Sequence, residues 1–156
     1  MINKEKIEDF IIDYTTGIDL INCVSNSIEN NFCKPDDYDD YGCKIDFLTE
    51  EKSSVKDKKS LDEWNIHHHN KFIKSKIDAD SPAGFSFPPP YNFIEKDDIQ
   101  INTIGDNTAE VEVNTRFGNY IFNIEDGGKD DNDYGMIIES VYMKPQWGGN
   151  LIKILG

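Results

Sequence analysis

Apolar residues recur at steps of three and four through the start of the chain: Ile7, Phe10, Ile11, Tyr14, Ile18, Ile21, Val24 and Ile28. That spacing predicts a helix with one face turned to a core. Asn3 is placed to cap it, and Glu5 suits the positive end of its dipole. Gly17, after Thr15 and Thr16, is a candidate bend or break, because glycine is a poor helix former. Lys34 to Gly42 reads KPDDYDDYG, a loop by its proline, glycine and aspartates. Lys44 to Thr49 is a candidate short strand, and Glu50 to Lys59 an exposed turn or helix. Ser60-Leu61-Asp62-Glu63 has the capping-box pattern and predicts a helix running to about Ile77. Leu61, Trp64, His68 and Phe72 fall near one face, with Ile66, Ile73 and Ile77 beside it. From Asp80 to Pro90 glycine and prolines end the helix, and Pro88-Pro89-Pro90 must be extended.

After Tyr91 the period changes from helical to alternating. Ile99 and Ile101 alternate, Gly105-Asp106-Asn107 turns, and Ala109, Val111 and Val113 alternate against Glu110, Glu112 and Asn114. Phe117-Gly118-Asn119 turns again before Tyr120, Phe122 and Ile124. Glu125 to Tyr134, EDGGKDDNDY, reads as a long acidic loop. Met136 to Met143 is apolar on both faces, as a central strand would be. Gly148-Gly149 separates Trp147 from a last apolar stretch, Leu151 to Leu155. The order predicts an α+β fold: helices over about residues 1–80 pack on a curved antiparallel meander over about residues 85–156, in a single domain.

Charge changes this picture more than any motif. Thirty Asp and Glu face sixteen Lys and Arg, a formal charge of −14 in 156 residues. Such a chain repels nucleic acid and anionic membrane and attracts basic partners. Arg116 is its one arginine, and arginine is the usual residue for bidentate phosphate and base recognition. Nucleic acid is therefore not an expected ligand. No apolar run approaches the ~18 residues of a membrane span, and MINKEKIEDF has no apolar core of a signal peptide. Cys23, Cys33 and Cys43 are odd in number and lack CxxC spacing; a Cys33–Cys43 bridge is less expected than reduced thiols in a cytoplasmic protein.

Ser86-Phe87-Pro88-Pro89-Pro90-Tyr91, the strand pair flanking Gly105, the strand start Gly118-Asn119-Tyr120-Ile121-Phe122 and Ile138-Glu139-Ser140-Val141 together resemble the nuclear transport factor 2-like superfamily, and more closely its bacterial immunity branch. The resemblance covers about residues 60 to 145. Where that family often has Trp-x-Ile entering its final strand, this chain has Gly135-Met136-Ile137. The resemblance implies a cone-shaped domain that neutralises a cognate polymorphic toxin and needs no catalytic group or cofactor.

The residues offer little independent chemistry. His67-His68-His69 is not a zinc pattern, since helical ligands sit at i and i+4 and adjacent residues diverge by about 100°. His68 alone falls on the apolar stripe; with Tyr14 it is a candidate polar group of the cone cavity, as an acid or base. The aspartate clusters fail as calcium loops: counting from Asp37 or Asp130 puts Gly42 or Gly135 at position 6, but Leu48 or Val141 at the closing position 12. No phosphate loop and no nucleophile motif occurs, and neither metal nor cofactor is expected. The leading expectation is a non-catalytic binder of a basic toxin through Asp36, Asp37, Asp39, Asp40, Glu125, Asp126, Asp130, Asp131 and Asp133, with a homodimer through the sheet as a further option. The alternatives are a small-molecule binder or isomerase- or dehydratase-like enzyme using the cone cavity, and a nucleic-acid mimic that blocks a DNA-binding protein.

Overall fold

A computed structural model of the chain describes residues 2–29, 58–75, 91–115, 118–127, 134–145 and 148–155. Among them are helices α1 (Lys4–Glu29) and α2 (Lys58–Phe72), then strands β1 (Ile99–Ile104), β2 (Thr108–Thr115), β3 (Gly118–Asp126), β4 (Met136–Lys144) and β5 (Ile152–Leu155). The strands form one antiparallel sheet in the order β1-β2-β3-β4-β5. The predicted α+β order of helices followed by a meander is the order observed. Lys34–Gly42, the Lys44–Thr49 strand and the proline run lie outside the described residues.

The start of α1 follows the sequence closely. The Asn3 side-chain oxygen accepts the Lys6 N–H at 2.9 Å, the capping bond expected of it. Ile7, Phe10, Ile11, Tyr14, Ile18 and Ile21 are all buried, while the side chains of Val24 and Ile28 lie outside the described residues. Gly17 neither bends nor splits the helix, which runs unbroken through it. Its reason is tertiary. A Cβ there would stand 2.1 Å from His68 Cε1 and 2.5 Å from Nε2, so the missing side chain is the notch into which the His68 ring fits.

α2 departs from its prediction at both ends. It begins at Lys58, so Ser60 lies inside the helix; two lysines, which favour helix, extend it upstream. It stops at Phe72 rather than Ile77 because Ile73 pairs with Ile138 of β4, and the Lys74 N–H bonds to the Ile138 carbonyl at 2.8 Å. A sheet contact that no local signal encodes ends this helix. Its buried face is Leu61, Asn65, His68 and Phe72, with Trp64 only half-buried. Phe72 meets Phe10 and Tyr14 at ring separations of 5.5 and 5.6 Å, while His68 meets Tyr14 and Gly17. The two helices therefore run antiparallel.

Register explains the sheet's two faces. Rows such as Ile101–Val111–Phe122–Val141 and Ile104–Ala109–Ile124–Ile138 face the helices. Rows such as Gln100–Glu112–Ile121–Tyr142 and Thr103–Glu110–Asn123–Ser140 face away. Glu139 is an extra residue between Ser140, opposite Asn123, and Ile138, opposite Ile124. This bulge shifts the inward set of β4 from Met136 and Ile138 to Val141 and Met143. The run that reads as apolar on both faces is partly an alternation changing phase, although outward Ile137 and Ser140 are buried as well. A second irregularity, at Asn102, adds to the bending expected of bulged strands. Gly118 and Asn119 are already in β3, rather than in the turn expected for them, since Thr115 and Gly118 pair directly.

Candidate functional site: an acidic sheet face over a closed aromatic core

Among the described residues, aromatic and aliphatic side chains pack the inward face. Phe10, Tyr14, Phe72, Tyr91, Phe122 and Met136 are each no more than 1% exposed and belong to one core cluster. Tyr14 sits at its centre, with Tyr91 at 6.3 Å and Phe122 at 6.0 Å in edge-on contacts. The candidate cavity groups, Tyr14 and His68, do come together. Their rings stack at 5.5 Å with 10° between planes, and His68 Nε2–H donates to the Tyr14 carbonyl at 2.9 Å. Burial lowers the His68 pKa from 6.5 to about 4, the bond to Tyr14 opposing it only in part. Burial also raises the Tyr14 phenol, with the Tyr91 hydroxyl nearby working slightly the other way; the two oxygens are nonetheless not aligned as a hydrogen bond, and neither has a partner. Of the triplet, His67 is exposed and His69 donates from Nε2 to the Ser75 carbonyl at 2.9 Å, so the three rings serve three different places.

Sequence reasoning passed over Asp19. Only 2% exposed, its carboxylate accepts the N–H groups of Tyr91 at 2.6 Å, Asn92 at 3.1 Å and Phe93 at 2.6 Å. Asn92 and Phe93 have φ of +63° and +52°, a left-handed conformation that non-glycine residues adopt at some cost. Converging bonds to one anion hold that turn where the chain enters the sheet. Burial raises the Asp19 pKa, and the three N–H groups counteract it. The signal was available: Asp19 is four residues after Thr15 and eight after Ile11, on the buried side of the helix, and a buried carboxylate requires donors. Asn65 was passed over too. It is 1% exposed, and its amide nitrogen and oxygen both lack a hydrogen-bond partner; nothing among the described residues explains it.

The outward face carries Glu110, Glu112, Glu125 and Glu139, none fully buried. Glu110, Glu125 and Glu139, with Thr103, Thr108 and Asn123, border an open depression of about 270 Å³. Lys74 reaches over its rim to Glu125 at 2.8 Å, which holds the lysine charge more firmly, and Lys144 approaches Glu112 at 3.6 Å. Asn102 donates to Glu110 and Ser140 to Glu139, orienting those carboxylates. A second depression of about 350 Å³ lies by Tyr91, Asn92, Asp98 and Asn114 at the sheet's end. Neither is lined by Tyr14 or His68.

Of the residues expected to meet a partner, Glu125 and exposed Asp126 close β3 beside the acidic depression. Asp36, Asp37, Asp39, Asp40, Asp130, Asp131 and Asp133 lie outside the described residues. On the described residues either side of the last three, the Gly127 N–H bonds to the Gly135 carbonyl at 2.9 Å and Tyr134 donates to Asp13. Among the described residues no cluster of His, Cys, Asp and Glu has the arrangement of a metal site, and no helix is long and apolar enough to cross a membrane. Compared with protein-family models, curated proteins and solved structures, the chain matches none.

Proposed function

We propose that this chain is a non-catalytic immunity protein of the nuclear transport factor 2-like type, which binds and neutralises a basic toxin. The observation that carries the reading is the outward sheet face. Its glutamates stand half-exposed around a depression, in a chain of net charge −14, while the inward face is occupied by the chain's own aromatic rings. Enzymes that act on nucleic acids present positive clefts, and an acidic surface competes for that field. Long-range attraction speeds encounter, and charge pairs buried on contact slow release. Glu125 and exposed Asp126 close β3 at the edge of this face, and the sequence after them is acidic, with Asp130, Asp131 and Asp133. The surface repels nucleic acid for the same reason.

The product of the neighbouring upstream gene is the protein to test, by pull-down and by rescue of growth on co-expression. Binding that weakens steeply with salt, and weakens again in a Glu110→Gln/Glu125→Gln/Glu139→Gln variant, supports the reading. Absence of any basic partner, or full affinity in that variant and in one neutralised at Asp36, Asp37, Asp39, Asp40, Asp130, Asp131 and Asp133, overturns it. The cavity reading, a small-molecule binder or isomerase-like enzyme, is favoured only by the unpartnered hydroxyls of Tyr14 and Tyr91. Phe72, Phe122 and Met136 packed into the same core weigh against it.

A further inference from the structure

The seam between α1 and α2 is closed by one ionisable ring. The His68 edge that carries both nitrogens lies against the backbone of α1 at Gly17: from the position of a Cβ there, Cε1, Nε2 and Nδ1 would be 2.1, 2.5 and 2.8 Å away. Nε2 must hold a proton, because its partner is the Tyr14 carbonyl. The ring is therefore neutral with its proton on Nε2, and a second proton can go only to Nδ1, which has no hydrogen-bond partner among the described residues. One face of the ring stacks on Tyr14, and Phe72 packs at 4.9 Å. The charged groups acting on it are Asp13 from α1, which favours a cation, and Lys71 and His67 from α2, which oppose one. Tyr14, the other titratable neighbour, is neutral at these pH values and is held so by burial.

We propose that His68 in the Gly17 notch is an acid-sensitive latch between the two helices, closed while the ring is neutral and released when Nδ1 takes a proton. An imidazolium there would face an α-helical backbone whose N–H and carbonyl groups are already engaged, with one carboxylate against two cations around it. Swinging α2 away returns the ring to water, where the charge is solvated. The sheet has no such group in its inward rows, so the release is confined to the helices. The inference does not depend on what the acidic face binds.

The sign follows from the ring's two states. In the unfolded chain His68 titrates near 6.5, and in the closed seam near 4. The stabilising contribution of the neutral ring is complete above the first value, is lost as pH falls between them, and changes no further below the second. From pH 7 to pH 5 that asymmetry lowers the folding equilibrium by about 20-fold. The test is hydrogen exchange of the full chain at pH 7 and pH 5, corrected for intrinsic rates, beside His68→Gln and His68→Phe. The glutamine can still donate to the Tyr14 carbonyl and the phenylalanine can still stack; neither titrates. Wild type should lose protection in α1 and α2 by about 20-fold more than either variant, with β2, β3 and β4 remaining the better-protected elements at both pH values. Equal pH dependence in all three proteins, helices as well protected as the sheet at pH 5, or a folded-state His68 pKa near 6.5 by NMR would overturn the latch. A variant that does not fold leaves the NMR titration of the wild-type ring to decide.

Discussion

The two faces of the sheet solve opposite problems with polar groups. Inward, a polar atom has to be matched or it costs stability, so Asp19 gathers three N–H groups and His68 gives its Nε2 proton to a carbonyl. Outward, Glu110, Glu112, Glu125 and Glu139 retain contact with water, and their lysine partners Lys74 and Lys144 are more than half exposed. Inward groups are therefore bound to one geometry, and outward ones are free to be neutralised by another surface. Substitutions should separate accordingly: inward ones change folding, outward ones change recognition.

The largest effect is expected at Asp19. Asp19→Ala orphans three amides in a turn where Asn92 and Phe93 hold a costly conformation, and should cost about 3–5 kcal/mol in urea unfolding. A loss below about 1 kcal/mol would show that the turn is held by something else. The pH dependence of this residue has the opposite sign to that of His68. The Asp19 carboxyl binds its proton more tightly folded than unfolded, so its contribution is greatest below the ordinary value of 3.8 and falls as pH rises from there to the raised value. A carboxyl resonance for Asp19 that titrates below 3.8 would reverse that sign. In the window where both titrate, the two inward ionisable groups pull against each other.

Gly17 comes next. Gly17→Ala improves helix propensity by about 1 kcal/mol, yet its methyl would collide with a ring that Tyr14 and Phe72 hold from the sides. Overpacking of this kind costs about 1–3 kcal/mol, so set against that gain a net loss of up to about 2 kcal/mol is expected. The comparison sharpens in a double-mutant cycle. Adding His68→Ala removes the obstacle, and the pair should be coupled by more than about 0.5 kcal/mol. Additive losses would mean that the ring and the glycine do not share the notch.

Much of this inward layer was legible from periodicity alone. The stripe of α1, the Asn3 cap, and the alternation of β2 and β3 depend on local spacing, which a sequence displays directly. What sequence did not display are the long-range matches. Gly17 looked like a break because its partner lies on another helix. The end of α2 was misplaced because Ile138, far along the chain, captures Ile73. Asp19 went unnoticed because its donors, the amides of residues 91–93, carry no side-chain signature. The bulge at Glu139 disguised a phase change as a two-sided strand. Of the proposed contact residues, the charge pattern put Glu125 and Asp126 in the acidic loop, whereas both belong to the end of β3, and alternation alone could not show that Glu110 and Glu139 join Glu125 around one depression.

The smallest effect on stability, and the largest on recognition, is expected on the outward face. Glu110→Gln keeps the side chain's shape and the bond from Asn102, which needs only an oxygen acceptor, so unfolding should change by no more than about 0.5 kcal/mol. Glu139 should behave likewise, since the Ser140 hydroxyl can still donate to an amide oxygen. Neutralising both, with Glu125, removes three charges from the border of the depression without altering the core. Far from the surface such charges are screened within about 8 Å at physiological ionic strength, so the loss should appear mainly as slower association at low salt and shrink as salt rises. A triple variant that unfolds in less urea than wild type would place these glutamates in the folding problem of the inward face. One that folds normally and associates more slowly with a basic partner keeps the two faces distinct.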